Sequence, residues 1–222
     1  MVRMNFYEHG AQLYPDAISD VLADLRQVLA HLPPDHAGIR IHGMAALRPY
    51  WATSGPIGSI AAEVLGVGCR AVRAILFDKT AATNWSLAWH QDRTICVRQR
   101  IDVDGFGPWT IKSGMQHVAP PFDLLTRMVT LRVHLDDVHA SNAPLLIAPG
   151  SHTKGRVPVD AIEEVVRLCG THACTAGAGD IWLYSTPILH ASEAAAVPAS
   201  RRVLQLDFAA EALPDGLDWL GV

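Results

Sequence analysis

The chain lacks most of the features that would direct its reading elsewhere. It has only four cysteines, Cys69, Cys96, Cys169 and Cys174, and no two of them form a CxxC pair, so neither a disulfide framework nor a zinc ribbon is written here. Free thiols are expected. Cys169 and Cys174 flank His172 in LCGTHAC, half of a metal site for which the chain holds no second half. No run of about 18 apolar residues occurs. The opening MVRMNFYEHGAQLYPD lacks the basic-then-apolar layout of a secretory leader, so no membrane association and a cytoplasmic location are expected. Basic charge is not in excess either. A net charge of −4 and a pI near 6.2 supply no broad field for nucleic acid or an anionic membrane.

What is present is a chain of 222 residues, half hydrophobic and 18% charged, enough for one compact domain over 1–222, alone or as a simple homo-oligomer. Between Pro15 and Leu32, the residues Ile18, Val21, Leu22, Leu25, Val28 and Leu29 recur at helical spacing until Pro33-Pro34 stops them. A shorter helix is expected over Ile57–Leu65, closed by Gly66 and Gly68. Helices should therefore fill about 1–68. From Cys69 the texture changes to short apolar or alternating runs such as AVRAILF, RMVTLRVHLDD, DIWLYS and RRVLQLDFA, separated by turn residues. A mainly β core over about 69–210, a barrel or sandwich of about eight strands with helices packed outside, accounts for them. One further helix is expected over Val159–Leu168, and the glycine-bearing stretch Val103–Val118 reads as a long loop able to act as a lid.

In WHQDRTICV, His90 and Asp92 lie two apart, so on a strand both would face one way and Gln91 the other. An imidazole and a carboxylate on one face form two thirds of the facial triad that binds ferrous iron and leaves positions open. With eleven histidines in the chain, a structural His–Asp hydrogen bond is the competing explanation. A third ligand would have to come from a distant strand, and His190 in DIWLYSTPILHAS ends an apolar run. Eleven residues later Arg201 opens RRVLQLDFA with a planar fork of donors suited to a carboxylate. Ser192, on the His190 face if the strand continues, is a second donor.

With these residues in view the chain resembles the phytanoyl-CoA dioxygenase family of iron(II)- and 2-oxoglutarate-dependent oxygenases, from about Phe77 to Phe208. The matching text is WHQD at 89–92, LDD at 135–137, PGSH at 149–152, GD at 179–180, HAS at 190–192 and RR at 201–202. The resemblance implies a double-stranded β-helix, the jelly-roll core shared with cupins. It implies iron(II) on His90, Asp92 and His190, with 2-oxoglutarate held at its far carboxylate by Arg201 and Ser192. Trp109 is expected at the cosubstrate or closing the pocket, and Asn84 and Lys79 at cosubstrate or substrate. The activity implied is hydroxylation, with O2, of an unactivated C–H bond in a small organic metabolite, releasing succinate and CO2. Asp92 favours hydroxylation over halogenation, since related halogenases carry a small residue there. Desaturation and epoxidation stay open.

The chain departs from the family in Asn142-Ala143-Pro144, where an Asn-Gly turn is frequent, and in EAAAVPAS, which lacks an asparagine often found after HxS. His117 on the expected lid and Arg98 near a strand edge are candidates for substrate contact. Bland roles are expected elsewhere: His134 as a strand residue, Asp136 and Asp137 as turn acids, His152 in a loop network, Arg202 facing away from Arg201. Two rival functions remain: a cupin-like metalloenzyme that uses no 2-oxoglutarate, and a non-catalytic binding protein on the same barrel.

Overall fold

A computed structural model describes residues 4–33 and 36–222, so Pro34 of the expected helix stop lies outside the described residues. The chain runs through strands β1 (Ala11–Tyr14), β2 (Gly38–Ile41), β3 (Arg70–Lys79), β4 (Leu87–His90), β5 (Ile95–Val97), β6 (Trp109–Lys112) and β7 (Met115–Val118). It continues through β8 (Met128–His134), β9 (Leu145–Ile147), β10 (His172–Cys174), β11 (Ile181–Ser185), β12 (His190–Ser192) and β13 (Arg201–Ala209). The helices are α1 (Phe6–His9), α2 (Leu22–Leu29), α3 (Arg48–Trp51), α4 (Gly58–Leu65), α5 (Phe122–Thr126) and α6 (Ile162–Cys169).

A six-stranded antiparallel sheet, β1-β11-β8-β13-β3-β2, faces a four-stranded one, β10-β9-β12-β4, and a three-stranded sheet, β5-β7-β6, closes one end. This is the expected jelly roll. Strand parity decides what each face does. Val129, Leu131, Val133, Leu183, Leu204, Leu206 and Phe208 point outward from the large sheet and pack against Leu25 and Leu29 of α2, Trp51 of α3 and Ile60 of α4. The opposite parity, Arg73, Lys79, Arg132, His134, Arg201, Gln205 and Asp207, points between the sheets. A sheet buried on both sides would normally be apolar on both. Here the inner face is the polar one, which marks it as the site.

Several expectations are corrected. The helix over Pro15–Leu32 is shorter, with a turn and a 3-10 segment (Ser19–Val21) preceding α2, because Asp16 adopts φ of +53° and its backbone N–H is held by Asp180 at 2.9 Å. The N-terminal part is not helical throughout: β1 pairs with β11 and β2 with β3, so the large sheet recruits strands from before residue 69. The stretch 103–118 is not a plain loop. It contains the β6–β7 hairpin, turning at Ser113-Gly114, both with positive φ. The short helix over Ile57–Leu65 is present as α4, and that over Val159–Leu168 as a 3-10 turn followed by α6. All four cysteines are free thiols. Among the described residues no helix is long and apolar enough to cross a membrane.

Candidate metal and cosubstrate site

β4 ends at His90, and Asp92 lies just beyond it, not on the strand as expected. Gln91 does face away from the site. It is buried, its amide donates to the carbonyls of Gly155 (3.0 Å) and Pro187 (2.9 Å), and its carbonyl accepts from Val157 N–H (2.9 Å). One side chain thus ties the histidine–aspartate turn to the segment that leads into His190. Ser151, from PGSH, adds a second tie by accepting from the Leu189 N–H at 2.9 Å.

His190 pairs directly with His90 across β12 and β4, their rings 4.2 Å apart, and the donor atoms of His90, Asp92 and His190 lie within 4.8 Å of one another. Each imidazole is oriented by its own backbone. His90 Nδ1 donates to the Ala88 carbonyl (2.8 Å) and His190 Nδ1 to the Ile188 carbonyl (2.9 Å), which leaves both Nε2 atoms as acceptors. Burial lowers the pKa of His190 to about 4, more than the nearby Asp92 charge raises it, so its imidazole is neutral at pH 7. Burial on its own would raise the Asp92 pKa. Arg73 and the two histidines outweigh it, and the carboxyl lies below its ordinary value. Arg73 donates to Asp92 Oδ2 at 3.2 Å and is anchored behind by Asp207, which also accepts from Thr130 at 3.0 Å. Two imidazole nitrogens and one carboxylate oxygen converging on one point, each side chain held from behind, suit a divalent transition metal.

The deep end of the same cavity, which has a volume of about 390 Å³, is cationic. Arg201 opens β13 opposite Lys79 on β3, and Arg132 donates to Gln205 at 2.9 Å. Burial and then Arg132 lower the Arg201 pKa to about 10, and burial with Arg201 and Arg132 lowers that of Lys79 to about 8. Arg201 Nε, Arg132 Nε and both ring nitrogens of His134 are buried with no hydrogen-bond partner. Buried polar atoms are almost always paired. A dicarboxylate such as 2-oxoglutarate fits that deficit in charge and in acceptors.

The remaining candidates divide. Ser192 lines the cavity beside Ala191 and accepts from Lys79 Nζ at 3.1 Å. Lys79 itself is fully buried behind it, its ammonium 4.9 Å from the Trp85 ring. Asn84 bonds both backbone groups of Ala195 and braces the segment after β12 instead of lining the cavity. Trp109 packs against the cluster around Val72 and Val118, stacked by Arg100, and is not at the cavity. His117 is buried with Nδ1 on the Met115 carbonyl, and Arg98 is exposed and paired with Asp218. Neither reaches the cavity. Arg202 faces outward and grips Asp136 with two bonds of 2.7 and 2.9 Å. Sequence reasoning passed over Arg73 and Gln91 as contributors. The inward parity of Arg73 in AVRAILF was the available signal.

Residues 61–203 match the family model described as phytanoyl-CoA dioxygenase (PhyH). No curated protein sequence matches the chain. Among solved structures, EctD from S. alaskensis is similar at 18% identity and a TM-score of 0.68, over 98% of this chain and 78% of that one. HygX from Streptomyces hygroscopicus, solved with nickel, 2-oxoglutarate and hygromycin B bound, is similar at 14% identity and a TM-score of 0.62, over 92% and 84%. The epimerase SnoN, solved with Fe3+, alpha ketoglutarate and nogalamycin RO, is similar at 16% identity and a TM-score of 0.61, over 95% and 88%. These likenesses establish a shared fold.

Proposed function

Because this chain belongs to the phytanoyl-CoA dioxygenase family, we propose that it is an iron(II)- and 2-oxoglutarate-dependent oxygenase that hydroxylates a small organic molecule. The metal would be held by His90, Asp92 and His190. Arg201 and Ser192, with Lys79 and Arg132 behind, would hold the distal carboxylate of 2-oxoglutarate. The observation that carries the reading is the pairing, in one cavity, of a backbone-oriented His–Asp–His cluster with a buried arginine whose Nε has no partner. Bound there, ferrous iron with 2-oxoglutarate and O2 supplies the oxidising power to break an unactivated C–H bond, with release of succinate and CO2.

The protein's own share is orientation and charge. The Ala88 and Ile188 carbonyls fix the histidine tautomers, Arg73 keeps Asp92 ionised and turned, and Gln91 locks the two ligand-bearing segments together. Asp92 supports hydroxylation over halogenation, because a carboxylate occupies the place a halide would need. HygX and SnoN were solved with hygromycin B and a nogalamycin-related compound, which supports a small-molecule substrate for this fold. The four unpaired thiols support a reducing, cytoplasmic setting.

Anaerobic titration of the purified chain with iron(II) and then 2-oxoglutarate tests the proposal. The expected result is stoichiometric iron uptake, a visible charge-transfer band when 2-oxoglutarate is added, and slow succinate formation on admitting O2. Loss of iron uptake in Asp92→Asn and His190→Gln is expected as well. Iron uptake unchanged in both variants, or no band in the wild type, refutes the reading.

A further inference from the structure

Arg201, Arg132 and Lys79 account for the cationic deep end, and the rest of the cavity carries a second group of cations that the cosubstrate does not explain. Arg40, Arg73, Arg93 and Lys112 also line it, against a single lining carboxylate, Asp92. Arg73 is matched by Asp92 and Asp207. Among the described residues the other three have no carboxylate within ion-pair distance. Arg40 donates through Nη1 to Ser113 Oγ at 3.2 Å while its Nε is buried without a partner. Lys112 Nζ reaches Thr94 Oγ1 at 3.5 Å, and Arg93 donates to the Val157 carbonyl at 2.7 Å.

The two groups are separate. Arg40 sits on edge strand β2 opposite Ile75, whereas Arg201 sits opposite Lys79, four residues further along β3 and on the strand beyond it. At ~3.4 Å per residue and ~4.8 Å per strand their backbones are roughly 16 Å apart. Arg40 is bonded to Ser113 at the hairpin turn, next to Lys112, whose ammonium reaches Thr94 two residues past Asp92, and both cations line the cavity. Burial and then the Arg73 charge lower the pKa of both Arg40 and Lys112. Cations outnumbering carboxylates at a cavity wall destabilise the empty protein and favour an incoming anion.

We propose that Arg40 and Lys112, assisted by Arg93, form the substrate subsite for an oxyanion, so that the molecule oxidised is a small acid carrying a carboxylate, sulfate or phosphate held on the β2 side of the metal ligands. The proposal rests on the oxygenase reading above. It places the substrate's charge at the opposite pole from the cosubstrate's distal carboxylate, with the metal ligands beside the path between them.

The test is anaerobic calorimetry on the full chain saturated with iron(II) and 2-oxoglutarate, at low ionic strength, with butanoate, sulfate and inorganic phosphate as probes. At least one probe is expected to bind with 2-oxoglutarate present. Its affinity should fall about tenfold in Arg40→Gln and again in Lys112→Gln, and recover partly in Arg40→Lys. Which probe binds most tightly identifies the oxyanion. The charge-transfer band, recorded in each sample before the probe is added, should be the same in the variants as in the wild type. No binding by any probe, binding only when 2-oxoglutarate is omitted, or affinity unchanged in both glutamine variants would overturn the proposal. Absence of the band from the wild type would instead sink the oxygenase reading, so the two failures are distinct.

Discussion

Arg73 is the residue whose removal is most informative about how this cavity is held together. Its side chain is 11% exposed and bridges Asp207, 3% exposed, and Asp92, 22% exposed. Burial opposes its charge, yet the two carboxylates raise its pKa above the ordinary arginine value. In Arg73→Met both carboxylates lose the guanidinium that, among the described residues, is their ion-pair partner, and Asp207, shut off from water, keeps the Thr130 hydroxyl. Breaking a buried pair by removing one partner costs about 3–5 kcal/mol, because the remaining charge stays desolvated. For a chain of this size about 1 kcal/mol moves Tm by roughly 2–4 °C, so a loss of about 10 °C is expected in the metal-free protein by calorimetry. Adding Asp207→Asn to Arg73→Met should return several degrees, since the asparagine keeps a partner for Thr130 without the stranded charge. A loss under about 3 °C in the single variant, or a double variant no more stable than the single, would refute the claim that the Arg73 charge is what keeps these carboxylates buried.

Three further outcomes follow from the geometry. Arg201→Met should raise the KM for 2-oxoglutarate on the order of a hundredfold, measured by succinate release, because a buried charge-assisted pair contributes roughly 2–5 kcal/mol when one side is truncated; an unchanged KM would move the cosubstrate elsewhere in the cavity. Ala143 holds φ of +47°, and its carbonyl accepts from Arg201. Ala143→Gly relieves a left-handed strain of about 1 kcal/mol, and a midpoint in urea that falls instead of rising would contradict that account. Lys79 has its pKa lowered by burial to about 8, so between there and its ordinary 10.5 the unfolded chain binds more protons at this residue than the folded one. Stability at this residue should therefore rise with pH across that window and be flat below it. A Lys79→Met protein whose Tm follows the same pH curve as the wild type above pH 8 would disprove it.

The legibility of the site varied with the kind of information each residue carries. His90, Asp92, His190, Ser192 and Arg201 stand in short fixed spacings, and their chemistry belongs to the residue types themselves, so the strings alone were enough to nominate them. Trp109, His117 and Arg98 were nominated by position along the chain. Position failed because the β6–β7 hairpin folds Trp109 into the packing around Val118, buries His117 on the other face with Nδ1 on the Met115 carbonyl, and leaves Arg98 on Asp218. The same hairpin was hidden by the glycines around it, and β1 and β2 by being only four residues long, too short to show a period.

Composition and strand alternation were enough by themselves to determine a β-rich barrel or sandwich, and the spacing of the histidine–aspartate, HAS and arginine segments to nominate its metal-ligand candidates and a carboxylate-binding arginine, while the jelly roll was implied by the family resemblance those segments carry. Those are local properties, set by side-chain chemistry and the period of two along a strand. Which cations share the cavity was decided only by the tertiary structure. Arg40, Arg73, Lys112 and Arg132 come from four different strands, and nothing within any one strand says which others will be its neighbours. Strand pairing is a long-range choice made by burying the apolar face of the whole sheet. The charges brought together on its other face are a consequence of that choice.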